Sequence, residues 1–231
     1  MEAGEQHERT DKIAAVLRDI KRGGAVTAGL SGAIRWDDRV IGTIRPLNRA
    51  DASDEALLAR LATWRNRHRS AFFTQFEATA ESTRTWLVKL ILDDPQRILF
   101  LVSDDADRPV GHCGARDIRP DGAEIDAILR GEPSGHRLLM MLALHATIEW
   151  LFETLRVDRI HARAFADNAR AIRLYATLGM TITRWEMFQR VIGDGVVSYE
   201  PVDEEGPCDH RKVAHLELLR GDFRQVAPTP R

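Results

Sequence analysis

Apolar residues recur at helical spacing from the start of the chain. Residues 7–22, HERTDKIAAVLRDIKR, set Ile13, Val16, Leu17 and Ile20 on one stripe among charges, and Gly23-Gly24 ends the pattern. An N-terminal amphipathic helix is predicted there. Ala33-Ile34-Arg35-Trp36, then Asp37-Asp38, then Val40-Ile41-Gly42-Thr43-Ile44 reads as a hairpin leading into a first core strand. From Asp54 the run DEALLARLATWRNRHR is again helical in period, and a further helix is predicted near residues 80–92, capped by Thr79 or Ser82 and stopped at Asp93-Asp94-Pro95.

The period then changes. Ile98-Leu99-Phe100-Leu101-Val102, Pro109-Val110-Gly111-His112-Cys113-Gly114 and residues 123–129 are three apolar or alternating runs separated by turn-rich DDADR and Pro120-Asp121-Gly122, which predicts three consecutive strands. Residues 138–155 form a long, mostly apolar helix that needs a sheet to bury it. A strand at 159–165, a helix from Asn168 to Leu178 ended by Gly179, and strands near 182–191 and 213–219 complete the order. The expected class is α/β, a mixed sheet layered with helices.

Composition narrows the function classes. The 231 residues carry 33 Lys and Arg against 35 Asp and Glu, a net charge of -2, which gives no electrostatic reason to bind nucleic acid or an acidic membrane. No apolar run approaches the roughly 20 residues that span a bilayer, and the opening MEAGEQHERT carries acids where a secretory signal carries basic then apolar residues, so a cytoplasmic protein is expected. Cys113 and Cys208 lack paired-cysteine spacing and are read as free thiols. Cys208-Asp209-His210 contains metal-ligand types, but adjacent residues rarely converge on one ion, so a polar loop and no metal are expected.

The most informative segment is RIHARAFADNARAIRLYATLGM, residues 159–180. A strand delivers Asn168 to the start of a helix, followed by Ala171-Ile172, Leu174-Tyr175 and Leu178-Gly179-Met180, and residues 168, 171, 172 and 175 share one helix face. This segment resembles the GNAT N-acetyltransferase superfamily. Ile44-Arg45-Pro46-Leu47, followed by a helix with Trp64-Arg65-Asn66, resembles the start of its members that act on amino sugars and on ribosomal-protein N-termini.

The resemblance implies a mostly antiparallel, twisted GNAT-type sheet flanked by helices, with residues 1–40 as a helical and hairpin extension and residues 41–231 as the acyltransferase domain. It implies acetyl-CoA or another short acyl-CoA as co-substrate, a small-molecule amine as acceptor, and room for a homodimer. Asn168 would bond the pantetheine arm or the diphosphate, Ala171 would leave room for it, and Tyr175 would face the thioester sulfur as a proton donor, a phenol's ordinary pKa being near 10.

The family's second signature, R/Q-x-x-G-x-G/A before the long helix, holds the coenzyme A diphosphate on backbone amides. Here the stretch is Arg130-Gly131-Glu132-Pro133-Ser134-Gly135-His136-Arg137-Leu138-Leu139-Met140, and two registers compete. One puts Arg130 first, Pro133 at the middle glycine and Gly135 last; the other, counted back from the helix, starts at Gly135 and puts Leu138 and Met140 at the glycine positions. Ile128 precedes this stretch on the same strand and is grouped with the cofactor site.

An amine must lose a proton before it attacks, so a base is needed. The period of two puts Glu124 and Asp126 on one strand face and Ile125, Ala127 and Leu129 on the other, which makes the two carboxylates the candidates, with Arg116 or Arg119 as structural partners in the alternative. His112 is a secondary candidate. Asn66, Arg69, Phe73 and His112 are the expected acceptor contacts, and Arg65, Arg67, His68 and Arg69 form a basic cluster suited to an acceptor phosphate or to solvent. The expected acceptor is an amino sugar or nucleotide-linked amino sugar, with a protein N-terminus or lysine, or acyl-CoA binding without turnover, as alternatives.

Overall fold

Asp37 and Asp38 both adopt positive φ, 47° and 62°, the turn that matches the twist of a hairpin. They join β1 (Gly32–Trp36) to β2 (Arg39–Pro46). The computed structural model describes residues 3–23, 31–202 and 210–224, and the expectation for Cys208 and Asp209 lies outside them. The N-terminal helix α1 spans Ala3–Lys21. Its Ile13, Leu17 and Ile20 sink into the same core as the sheet, so the N-terminal segment is part of one packed unit.

Asp54 accepts a hydrogen bond from the Leu57 amide at 3.0 Å and starts α2 (Glu55–Arg67). Thr79 and Ser82, each expected as a cap, act together in a capping box on α3 (Ala80–Trp86), which runs into a π-helical turn at Leu87–Leu92. Between the two helices a two-residue strand, β3 (Thr74–Gln75), crosses to the far edge of the sheet. There follow β4 (Ile98–Asp104), β5 (Pro109–Arg119), β6 (Gly122–Arg130), α4 (Leu139–Glu153), β7 (Arg159–Phe165), α5 (Ala169–Thr177), β8 (Thr181–Gly193), β9 (Val196–Pro201) and β10 (His210–Leu219).

All ten strands form one sheet in the order β1-β2-β4-β5-β6-β7-β10-β8-β9-β3. Every neighbouring pair is antiparallel except β6 and β7, which are parallel and joined through α4. One face carries α1, α4 and α5 over Ile44, Phe100, Val102 and Ile160; the other carries α2 and α3 over Leu47, Leu99 and Leu101. Two elements absent from the sequence reading are β3 and β9. The β8–β9 turn is Asp194-Gly195, both at positive φ.

The expectation that Ile125, Ala127 and Leu129 share a face is corrected. Ala127 has φ 51°, and the β5–β6 register shifts between His112↔Leu129 and Gly114↔Asp126, so β6 carries a bulge. Ala123 and Ile125 enter the α4 core before it, and Ile128 packs there after it. Ala127 and Leu129 turn instead toward α2. The bulge also ends the pairing of β6 with β7, which is confined to Ala123↔Ile160 and Glu124↔His161. Beyond Glu124 the two parallel strands part.

A left-handed Ala costs roughly 1–2 kcal/mol and needs a clamp. His112 supplies one: its Nδ1 lies 2.6 Å from the Ala127 carbonyl oxygen. A carbonyl can only accept, so Nδ1 carries the proton. Burial pushes the His112 pKa down to about 4, which keeps the ring neutral.

This clamp makes stability pH-dependent. The unfolded chain protonates His112 near 6.5 and the folded chain near 4, so unfolding takes up a proton between those values. Stability linked to His112 is complete above pH 6.5 and falls by about 3 kcal/mol as the pH drops to 4. Urea denaturation across that range checks it: His112→Gln, which keeps a donor but cannot titrate, should lose that part of the slope.

Candidate active site

The parting of β6 from β7 leaves a cleft lined by the bulge on one side and by α5 on the other. Asn168 has its side-chain Oδ1 3.2 Å from the Ala171 amide and caps α5, which leaves its Nδ2 hydrogens for another partner. Gly179, at φ 89°, ends the helix as the sequence predicts. The strongly amphipathic α5 turns Ala171 and Ile172 toward the core and buries Tyr175 to 6% exposure. Among the described residues the Tyr175 hydroxyl makes no hydrogen bond. Burial raises its pKa above the ordinary tyrosine value, and the charges of Asp126 and then Glu124 raise it further. At neutral pH this phenol is a proton donor only.

The two candidate carboxylates have different surroundings. Glu124 bonds Arg116 Nη2 at 2.9 Å and Arg163 Nε at 2.9 Å, so accepting a proton would break a double guanidinium clamp. This is the structural pairing foreseen for Arg116, whereas Arg119 reaches Gln96 at 3.4 Å. Asp126 pairs in register with Gly114 and forms no ion pair among the described residues. Its charge reaches Tyr175, His112 and Arg65. It is the candidate carboxylate that no guanidinium clamps.

The loop between β6 and α4 is built around Arg130. Its Nε donates to Glu132 O (3.1 Å), its Nη2 to Pro133 O (3.3 Å), Ser134 O (2.9 Å) and Gly135 O (3.2 Å), and its Nη1 to His136 O (3.4 Å) and Arg137 O (3.3 Å). The carbonyls therefore point inward at a guanidinium, and the amides of Ser134, Gly135, His136 and Arg137 are left without a backbone acceptor among the described residues. With the unpaired N–H groups of the first turn of α4, they form a concavity suited to a diphosphate. Arg130 thus shapes the loop and has no free edge for a phosphate.

Leu138 is the residue immediately before α4. The side chains of Leu139 and Met140 are buried, away from that concavity. They fit because two strands carry glycine beneath them: a Cβ on Gly42 would stand 2.7 Å from Leu139 Cδ1, and one on Gly111 would stand 2.8 Å from Met140 Sδ. The amides that would hold coenzyme A are unaffected by these side chains. His136 stacks near Trp36 of β1, with ring centroids 6.4 Å apart, and Arg137 is exposed.

A second recess of about 400 Å³, part of it open to solvent, lies between α2, α3 and the bulge. Leu61, Arg65, Phe72, Phe76, Trp86 and His112 line it. Of the four expected acceptor contacts only His112 is there. Asn66 is engaged with Ala78 through Nδ2 to the carbonyl (2.8 Å) and Oδ1 from the amide (2.7 Å). Phe73 stacks on Phe165 at 4.6 Å in a separate cluster, and Arg69 is exposed on a short 3-10 turn. The basic cluster is dispersed as well: Arg67 donates to Gly131 O at 2.6 Å, while Arg65 turns into the recess.

The sequence reading missed Phe72, Phe76, Trp86 and Arg170. The first two follow from β3 pairing with β9 (Thr74↔Ser198), a long-range contact with no local signal. Arg170, exposed in the first turn of α5, bears on the charges of Arg130 and His68 and adds positive potential beside the loop. Trp64, fully buried, ties the two sites together: its Nε1 donates to Glu132 Oε1 at 2.7 Å and its ring covers Gly131, where a Cβ would overlap it.

Three solved structures share this architecture. A spermidine N-acetyltransferase from Vibrio cholerae, solved with CoA and spermine, aligns at a TM-score of 0.60 and 17% identity over 80% of this chain and 98% of its own. A probable GNAT-family acetyltransferase from Chromobacterium violaceum aligns at 0.59 and 22% identity over 84% and 91%. A GCN5-related N-acetyltransferase from Brucella melitensis aligns at 0.60 and 18% identity over 83% and 80%. No curated protein matches in sequence. The profile of the Acetyltransferase (GNAT) domain matches residues 42–181, more than half of the chain. The chain therefore belongs to the GNAT acetyltransferase family.

Proposed function

We propose that the protein transfers an acetyl or other short acyl group from an acyl-CoA to the primary amine of a small molecule, by direct attack. The observation that carries this reading is the pairing of an unclamped carboxylate, Asp126, with a buried, protonated phenol, Tyr175, which lies within reach of that carboxylate's charge. Acyl-CoA supplies the thioester. The free amides of Ser134, Gly135, His136 and Arg137 would hold its diphosphate, and Asn168 Nδ2 its pantetheine arm.

The residues then have separate tasks. Asp126 takes one proton from the incoming ammonium and releases it to solvent. The nitrogen forms the C–N bond as the C–S bond breaks, Tyr175 gives its proton to the departing sulfur, and the second proton on nitrogen restores the phenol. Glu124, clamped by Arg116 and Arg163, holds the sheet surface in place.

The acceptor classes to assay include the amino sugars and nucleotide-linked amino sugars expected from the sequence, together with peptide N-termini. The spermine bound by the Vibrio cholerae enzyme is a polycation, and the guanidinium of Arg65 in the recess here disfavours it.

Thermal-shift screening with CoA thioesters and thiol-release assays on an amine library test the reading. Failure of every thioester to stabilise the protein would overturn it. Tyr175→Phe should lower kcat by about 100-fold or more, with CoA affinity retained, and Asp126→Asn should lower kcat/KM comparably while Glu124→Gln costs much less. Arg130→Gln removes the centre of the loop, and calorimetry should find CoA binding weakened about tenfold or more.

A further inference from the structure

Arg65 is the least expected group in the acceptor recess. Its guanidinium carbon lies 4.4 Å from the centroid of Phe72 and 4.6 Å from that of Phe76, so two rings fix its position. Nη2 donates to Thr74 O at 3.0 Å. No other hydrogen bond and no ion pair of this side chain occurs among the described residues, which leaves Nε–H, both Nη1 hydrogens and the second Nη2 hydrogen as donors. The side chain is half-buried, and burial disfavours its charged form. Asp126 bears on it electrostatically without forming an ion pair, and it directly precedes Ala127, which lines the recess. A cation in an apolar recess with a carboxylate at its border is a layout complementary to a dipolar ion of the opposite sense.

Size and lining narrow the ligand further. The recess is small, its space of about 400 Å³ including part that is open to solvent, and Leu61, Phe72, Phe76 and Trp86 make it apolar and aromatic around the guanidinium. A nucleotide-linked sugar would have to lie mostly outside it.

Resting on the acyltransferase reading above, we infer that the acceptor is an amino acid-like molecule, a primary amine with a carboxylate and a small apolar or aromatic body. Its carboxylate is held by Arg65, its ammonium is presented to Asp126, and its body packs on Phe72, Phe76 and Trp86. Arg65 is then the specificity determinant. A carboxylate on a planar guanidinium accepts two parallel hydrogen bonds, a geometry that an amide, a hydroxyl or a polyamine cannot reproduce.

The test compares phenylalanine and leucine with phenylalaninamide, glucosamine 6-phosphate and spermidine, using the full chain, acetyl-CoA and thiol release. The expected result is a kcat/KM for the free amino acids about tenfold or more above that of the amide. Arg65→Gln should abolish that preference by raising KM for the acids far more than for the amide, and be partly compensated in Arg65→Lys. Equal rates for acid and amide, a faster sugar phosphate or polyamine, or equal loss on all substrates in Arg65→Gln would each overturn the inference. Binding is read separately by quenching of tryptophan fluorescence, since Trp86 lines the recess. If no amine releases thiol, the acyltransferase reading fails, while tighter binding of phenylalanine than of its amide, lost in Arg65→Gln, would still support the carboxylate site; equal binding of the two would overturn it.

Discussion

A single left-handed residue, Ala127, decides which way half of β6 faces and where β7 can go. Before it, the strand is an ordinary member of the sheet, paired on both sides. After it, side chains that would have entered the α4 core turn to α2, and the parallel partner is released. The cleft, the exposure of Asp126 and the floor of the acceptor recess follow from this one backbone irregularity. Its cost is local and is met by a neutral histidine, so the same His112 that lines the recess also keeps the cleft in shape.

The loop above the cleft follows a different logic. A diphosphate is held by N–H groups, yet a loop left to itself points carbonyls and amides in mixed directions. Arg130 sorts them by drawing six carbonyls to one cation. Trp64 then fixes the start of the loop to α2, the helix that also carries Arg65. The β6–α4 loop and the recess beside Arg65 are therefore both anchored on α2.

Much of this was legible in the sequence, and the parts that were not have identifiable reasons. The period of apolar residues located α1, α2, α4 and α5 because each buries a single stripe. Asn168, Tyr175 and Gly179 were legible because cap, buried face and C-cap are all local features. The bulge had only a faint signal: alternation in β6 breaks at Ala127-Ile128-Leu129, three apolar residues in a row, but Ala127 is not a residue whose identity suggests positive φ. Strand β9 had a signal, Asp194-Gly195, that was passed over, whereas β3 had none, being two residues long and dependent on a partner more than 120 positions away. Phe72 and Phe76 could not be singled out from Phe73 without β3, whose pairing turns them toward the recess. Arg130 was legible as part of the loop, whereas its hold on the loop carbonyls depends on a fold of the backbone that has no sequence signal.

The glycines of β2 and β5 have a consequence for how this sequence can drift. Leu139 and Met140 are large where small residues suffice, and they are accommodated only because Gly42 and Gly111 lie beneath them. Restoring a small residue at 140 would leave a void over Gly111, and enlarging 111 alone would drive its side chain into Met140. Position 111 would stay glycine even beneath a smaller residue, because a Cβ there would also run into the Leu129 carbonyl oxygen, and position 42 is held in the same way by the Ser103 carbonyl. The backbone of the neighbouring strands, before the helix above, sets what these two positions can accept.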